Sequence, residues 1–272
     1  MVRVQLSGTK ETMLATLWGR ALDSRSARPV LGDTAADEAI GRLDYDFGKL
    51  MKPSMALSVA LRAKSIDTWA REALAANPGA SVLHLGCGLD TRVFRIDPPP
   101  DSRWFDVDFP EIAELRHQLW PELDERENYR VLATSVTDWA WLEEVPADRP
   151  VVVVAEGLTM YLRDAEAEGL FRRVVERFPS GEFVFDIFSK LGIKAQKMNP
   201  VVRKSGSTLY WGLDDSRELE KFGLELVDEH FAQQFASEED LPKLPLVPRL
   251  QLAALRWVPA VNRMGRIVRC RF

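Results

Sequence analysis

The stretch SVLHLGCGLDTR, residues 81–92, decides how this chain is read. Ser81 to Leu85 is a short β-forming run that stops at Gly86, and a second glycine follows at Gly88. Glycines so placed let the backbone turn tightly and come close to a ligand. A strand entering such a turn opens one half of an α/β sheet, whose ligands sit beyond the carboxyl ends of the strands. A dinucleotide fingerprint needs a third glycine at position 91, where Thr91 stands instead. That substitution speaks against a nicotinamide oxidoreductase.

Working outward, further β-rich runs appear at 102–107, 129–133, 151–156, 182–187, 224–230 and 265–272. Helical patterns lie between several of them. EIAELRHQLW follows the second run, and AEAEGLFRRVVERF, with Leu170, Phe171, Val174 and Phe178 on one face, follows the fourth. Alternation of strand and helix predicts a doubly wound, mostly parallel sheet. VVVVA (151–155) reads as a central strand buried on both faces. The last two runs are separated by LPKLPLVP, whose prolines cannot sit in a central strand, so one antiparallel member is expected at that edge. A helical pattern over 53–76, stopped by Asn77-Pro78-Gly79, precedes the first strand. The expected organisation is one domain: a helical N-terminal cap (1–76), a core (81–188), a lid (189–215) and C-terminal strands (216–272).

Composition narrows the class. The 272 residues carry 41 acidic and 36 basic side chains, a formal charge of −5, and 46% are hydrophobic. The acidic balance opposes a nucleic-acid binder held by counterion release. Cys87 and Cys270 are too few for a disulfide framework, and the longest apolar run, Val151 to Ala155, is far short of a membrane span. A cytoplasmic protein with neither nucleic-acid nor membrane partners is expected. Arginines outnumber lysines 26 to 10, a skew read mainly as genome bias.

The second strand ends in Phe105-Asp106-Val107-Asp108, about 20 positions past the glycine turn, where an acidic residue usually meets ribose hydroxyls. Both aspartates qualify. Glycine turn and acidic strand end together indicate an adenosine-type cofactor. Of three histidines, His84 reads as a core residue and His117 as exposed; only His230, ending the sixth strand, is kept as a candidate. No His-rich site, Cys-x-x-Cys pair or His-Glu-x-x-His motif calls for a metal.

GCGLDTR resembles the Gly-x-Gly-x-Asp-Thr-Arg signature of the leucine carboxyl methyltransferase family, in particular its bacterial branch of tetracenomycin-type polyketide O-methyltransferases. WFDVDFPEI (104–112) and AEGLTMYL (155–162) are similar to two further blocks of that family, and RPVLGDTAADE and LYWGLDDSREL extend the likeness. The resemblance implies a class I methyltransferase-like fold, with seven strands and S-adenosyl-L-methionine as methyl donor, leaving S-adenosyl-L-homocysteine. It implies Gly86, Gly88 and Asp90 in the cofactor turn, and Asp108, with Asp106 in reserve, at the ribose. Arg62 is implied at the cofactor carboxylate and Glu156 at its amino-acid end. Ser135 and Val136 fall near the adenine, with serine where the family commonly has aspartate.

The scarcity of bases favours a carboxylate as acceptor, since a carboxylate is already ionised near neutral pH whereas a phenol is not. Tyr161 and Arg203 are the candidate catalytic residues. Arg203, Lys204, Tyr210 and Trp211, in a segment that also holds Gly192, Pro200, Gly206 and Gly212, suit a flat anionic or aromatic small molecule. A protein C-terminal carboxylate, a phenol, or binding without turnover stay open as alternatives.

Overall fold

The structure, a computed structural model, describes all residues except 1, 4–8, 51–54, 199–201 and 204–205. Two-residue strands β1 (Val2–Arg3) and β2 (Leu43–Asp44) pair in parallel beside the cap helices α1 (Thr9–Ser24) and α2 (Thr34–Arg42). Helix α3 (Ala56–Ala76) then leads to the main sheet. Its strands are β3 (Ser81–Leu85), β4 (Arg103–Asp108), β5 (Tyr129–Ala133), β6 (Val151–Ala155), β7 (Gly181–Phe188), β8 (Glu225–Phe231) and β9 (Gly265–Arg271). They lie in the order β5-β4-β3-β6-β7-β9-β8. Only β9 runs against its neighbours, β7 and β8. The order reverses between β3 and β6, both central, and their carboxyl ends form the switch point where such sheets bind ligands.

Strand parity explains the continuous apolar runs. Val82, Val152, Val154, Val184 and Ile267 pack on one face, against the cap, α3 and helices α4 (Arg92–Ile96) and α5 (Pro110–Leu119). Leu83, Val151, Val153, Phe183, Phe185 and Val268 pack on the other, against α6 (Trp141–Glu144) and α7 (Asp164–Arg177). A strand covered on both sides takes mainly apolar residues, and polar ones buried in these strands, such as His84 and Asp106, are hydrogen-bonded to each other.

The expected helix at 111–120 begins at Pro110, whose missing N–H costs nothing at a first helical position. Between β8 and β9, in the proline-containing stretch that was excluded from a central strand, Leu246–Leu255 forms a helix. Pro248 falls in its first turn, the part of a helix that tolerates proline.

Candidate active site

The glycine turn after β3 is closed by the next strand. Gly86 and Gly88 sit at φ +60° and +51°, a left-handed region that other residues adopt at a cost. A Cβ on Gly86 would meet Leu158 Cδ1 at 2.9 Å, and one on Gly88 would meet Met13 Cβ at 3.2 Å. The Gly88 N–H donates to Asp108 Oδ2 at 2.7 Å, while Asp108 Oδ1 accepts from Phe109 N–H at 2.8 Å. Burial pushes the Asp108 carboxyl up, and the two backbone N–H groups work against that shift.

Asp106, two residues earlier, does something else. Its Oδ1 accepts from Trp104 Nε1–H at 2.8 Å and faces His84 Nδ1 at 2.9 Å; its Oδ2 accepts from Tyr129 O–H at 2.5 Å and from Arg116. Against burial, Arg116 and His84 bring its pKa down to about 2. Asp106 does not line the cavity described below, so the reserve ribose candidate is a fully engaged node of the core. His84 also receives Arg92 Nη1 at its Nε2, 3.3 Å away, which leaves Nδ1–H to donate to Asp106.

Asp90-Thr91-Arg92 ties three layers together. Arg92 bonds Asp67 of α3 at 2.6 Å, Asp90 at 2.9 Å and Glu156, just past β6, at 2.5 Å. Thr91 O–H donates to Asp33, the residue that caps α2, and Arg20 of α1 and Arg95 of α4 reach the same carboxylate at 3.1 and 2.7 Å. Burial opposes charge on Asp90, but Arg92, Arg95 and Arg20 hold it well below the usual carboxylate range. The motif is thus a buried ionic staple between cap and sheet.

At the cavity end of that network Arg62 lies between two acids. Its Nη2 is 2.9 Å from Glu156 Oε1 and its Nη1 3.0 Å from Asp186 Oδ2. Asp186 Oδ1 accepts the Gly157 N–H at 2.7 Å. Against burial, Arg62 and Arg92 keep Glu156 below its ordinary range, whereas burial outweighs Arg62 at Asp186 and raises it. Sequence reading passed over Asp186, although it is a charge near the end of the otherwise apolar run FVFDIF, much as Glu156 follows VVVVA.

These groups line one cavity of about 680 Å³ at the carboxyl ends of the strands. Gly86, Gly88, Asp90 and Asp108 are in its wall, as are Arg62, Glu156, Asp186, Ser135, Val136 and Tyr161. Ser135 Oγ is 2.8 Å from Thr137 Oγ1. The remainder of the wall is largely apolar and includes Val59, Met160, Phe188, Val202, Leu209 and Phe235. Tyr161 stands beside Met160 and Phe188, and burial pushes its phenol up.

Segment 189–215 supplies Val202 and Leu209 to the cavity wall, where cations and aromatics were expected. Arg203 is exposed and outside the cavity wall, and Tyr210 is exposed beneath the Arg163 guanidinium, 5.0 Å from its ring centre. Trp211 points into the core, its ring centroid 5.5 Å from that of Phe171. Lys204 and Pro200 lie outside the described residues. His230 also misses the cavity: it packs on Trp69 at 4.2 Å between ring centroids and meets Ser65 Oγ at 3.2 Å.

The model of the leucine carboxyl methyltransferase family matches residues 13–175, from the first cap helix through α7. The chain belongs to the leucine carboxyl methyltransferase family. Tetracenomycin polyketide synthesis O-methyltransferase TcmP of Streptomyces glaucescens is 46% identical over 218 residues, 80% of either chain. S-adenosyl-L-methionine-dependent methyltransferase dpfgK of Gibberella zeae is 36% identical over 237 residues, again 80% of either chain. Solved structures at 17% identity share the fold. One, from Thermobifida fusca, superposes with a TM-score of 0.59 over 93% of each chain. A DUF574 family protein from Streptomyces avermitilis gives 0.58 over 93% of this chain and 96% of its own. This member of the leucine carboxyl methyltransferase family is an S-adenosylmethionine-dependent methyltransferase.

Proposed function

We propose that the chain methylates an oxygen, most readily a carboxylate, of a small and largely apolar, polyketide-like molecule. The wall residues suit the cofactor chemically. The glycine turn leaves space that a Cβ would fill, and Asp108 presents a buried carboxylate where ribose hydroxyls would come, with Asp90 below the turn. Arg62 would take the cofactor's carboxylate, and Glu156 with Asp186 its ammonium. One cation between two acids matches a ligand with one carboxylate and two positive centres. Ser135 and Val136 would face the adenine, with a hydroxyl where an acid is usual.

Bound S-adenosylmethionine supplies an electrophilic sulfonium methyl, so the protein's share is alignment and exclusion of water. Tyr161 carries the choice of acceptor. It stands where the Arg62 cluster gives way to the apolar wall, and its raised pKa keeps it a hydroxyl donor at neutral pH. A donor of that kind orients an oxygen that is already anionic and takes no proton from it. The apolar neighbours Met160, Phe188, Val202 and Leu209 would hold the acceptor's carbon skeleton. The resemblance to TcmP supports an acceptor of the polyketide kind.

The test is transfer of labelled methyl to a panel of aromatic carboxylic acids and phenols, with products read by mass and by alkaline lability. Methyl esters support the reading, and base-stable ethers move the acceptor to a phenol. Transfer to neither, by protein that binds the cofactor, defeats it.

A further inference from the structure

The helix Leu246–Leu255 is apolar around most of its circumference, yet none of its residues is buried. On its inner side Leu252 packs with Phe235, Leu241 and Leu244. On its outer side Leu246 (69% exposed), Val247 and Leu250 face away from the chain, and Trp257 (76% exposed), Val258 and Val261 prolong the same apolar surface. A helix of this composition belongs in an interior, and a contiguous exposed patch of this kind marks an interface.

Charge around the patch says what covers it. Residues 246–263, the helix and its continuation, carry three basic side chains and no acidic one, in a chain of net charge −5. Arg249, Arg256 and Arg263 are exposed there, Arg256 with its guanidinium 5.0 Å from the centre of the Trp257 ring. Ahead of the turn Leu241–Lys243 that leads into the helix stand Glu238 and Glu239, both exposed, and Lys243 of that turn is paired with Asp240. Acids at the near end and arginines at the far end make a surface complementary to itself when turned end for end. Exposed tryptophan and arginine at the end of an apolar helix are residue types enriched at protein–protein interfaces. An anionic bilayer would instead meet two glutamates beside the helix.

We propose that this face is the two-fold interface of a homodimer, the symmetry most common among soluble oligomers. Antiparallel packing of the two helices brings the Glu238–Glu239 end of one protomer against the Arg256 end of the other. The interface lies behind the cavity: the helix packs on the turn Ala232–Gln234, and Ala232 and Phe235 belong to the cavity wall.

The test is the mass of the purified full-length protein at micromolar concentration, by light scattering and sedimentation velocity. A particle of twice 30.8 kDa is expected. Leu250→Glu and Trp257→Glu, at positions exposed in the protomer, should keep the circular dichroism of the wild type and run at the single-chain mass. Arg256→Glu should weaken the dimer at least tenfold, and Glu238→Arg with Glu239→Arg should restore it in that background. A wild-type monomer, a dimer that survives both glutamate substitutions, or a failed restoration overturns the proposal. So does a monomeric wild type that sediments with phosphatidylglycerol vesicles, an outcome that assigns the face to lipid.

Discussion

Asp106 and Asp108 share a strand, and their environments give them different duties. Asp108 keeps a face toward the cavity, whereas Asp106 is enclosed by Arg116, His84, Trp104 and Tyr129. Asp108→Asn is expected to fold normally and to raise the Kd for S-adenosylhomocysteine about 10–100-fold, the range for losing a charged hydrogen-bond acceptor. Asp106→Asn should do the reverse: little change in cofactor affinity once folded, but a loss of about 3–5 kcal/mol in urea unfolding from a broken buried pair. The pH dependence of the Asp106 contribution has a definite sign. The folded carboxyl titrates at about 2, below the roughly 3.9 of an unfolded aspartate, so its stabilisation is complete above about pH 4. It is lost as pH falls from there toward 2. The Asp106→Asn variant should lack that part of the acid transition, and superimposable acid profiles would contradict the assignment.

At the scale of elements, the Asp-Thr-Arg motif joins the cap to the sheet. Asp33 caps α2 and accepts Arg20, Thr91 and Arg95, so Asp33→Ala removes one acid from a dry cluster and leaves Arg20 with Asp90 and the Leu89 carbonyl, and Arg95 with Asp67 and Asp90. It should cost about 3–5 kcal/mol and open the α1–α2 connection to protease before the sheet unfolds. Hydrogen exchange resolves that order, and uniform loss of protection would contradict it. Gly86→Ala tests the turn itself. Strain at positive φ costs about 1–3 kcal/mol, and with Leu158 2.9 Å from the new methyl the cofactor turn should be displaced and affinity reduced. All seven main strands were legible because each is a short run rich in β-forming residues set between turns or helical patterns. The helix Leu246–Leu255 was not, since three nearby prolines mask it and its apolar faces carry no helical period. The lid misled for a related reason: composition names Tyr210 and Trp211 but does not say which way they point, and Trp211 points to the core.

For the whole molecule, sheet order, glycine turn and ionic staple converge on one cavity at the switch point. That Gly86, Gly88, Asp90 and Asp108 meet in one cavity wall was legible from spacing and family likeness because strand ends and turns are local features. Asp186 and the apolar acceptor wall come from segments far apart in the chain, and their meeting is a product of the fold. Among the described residues no helix is long and apolar enough to cross a membrane. We infer that the cavity holds S-adenosylmethionine, with Asp108 at one end and Arg62, Glu156 and Asp186 at the other. Isothermal titration of the wild type, Asp108→Asn and Arg62→Ala with S-adenosylhomocysteine, and of the wild type with NAD, tests this placement. One cofactor per chain, affinity at least tenfold weaker in each variant, and no heat with NAD are expected. Binding of NAD alone, or equal affinity for S-adenosylhomocysteine in all three proteins, would contradict it.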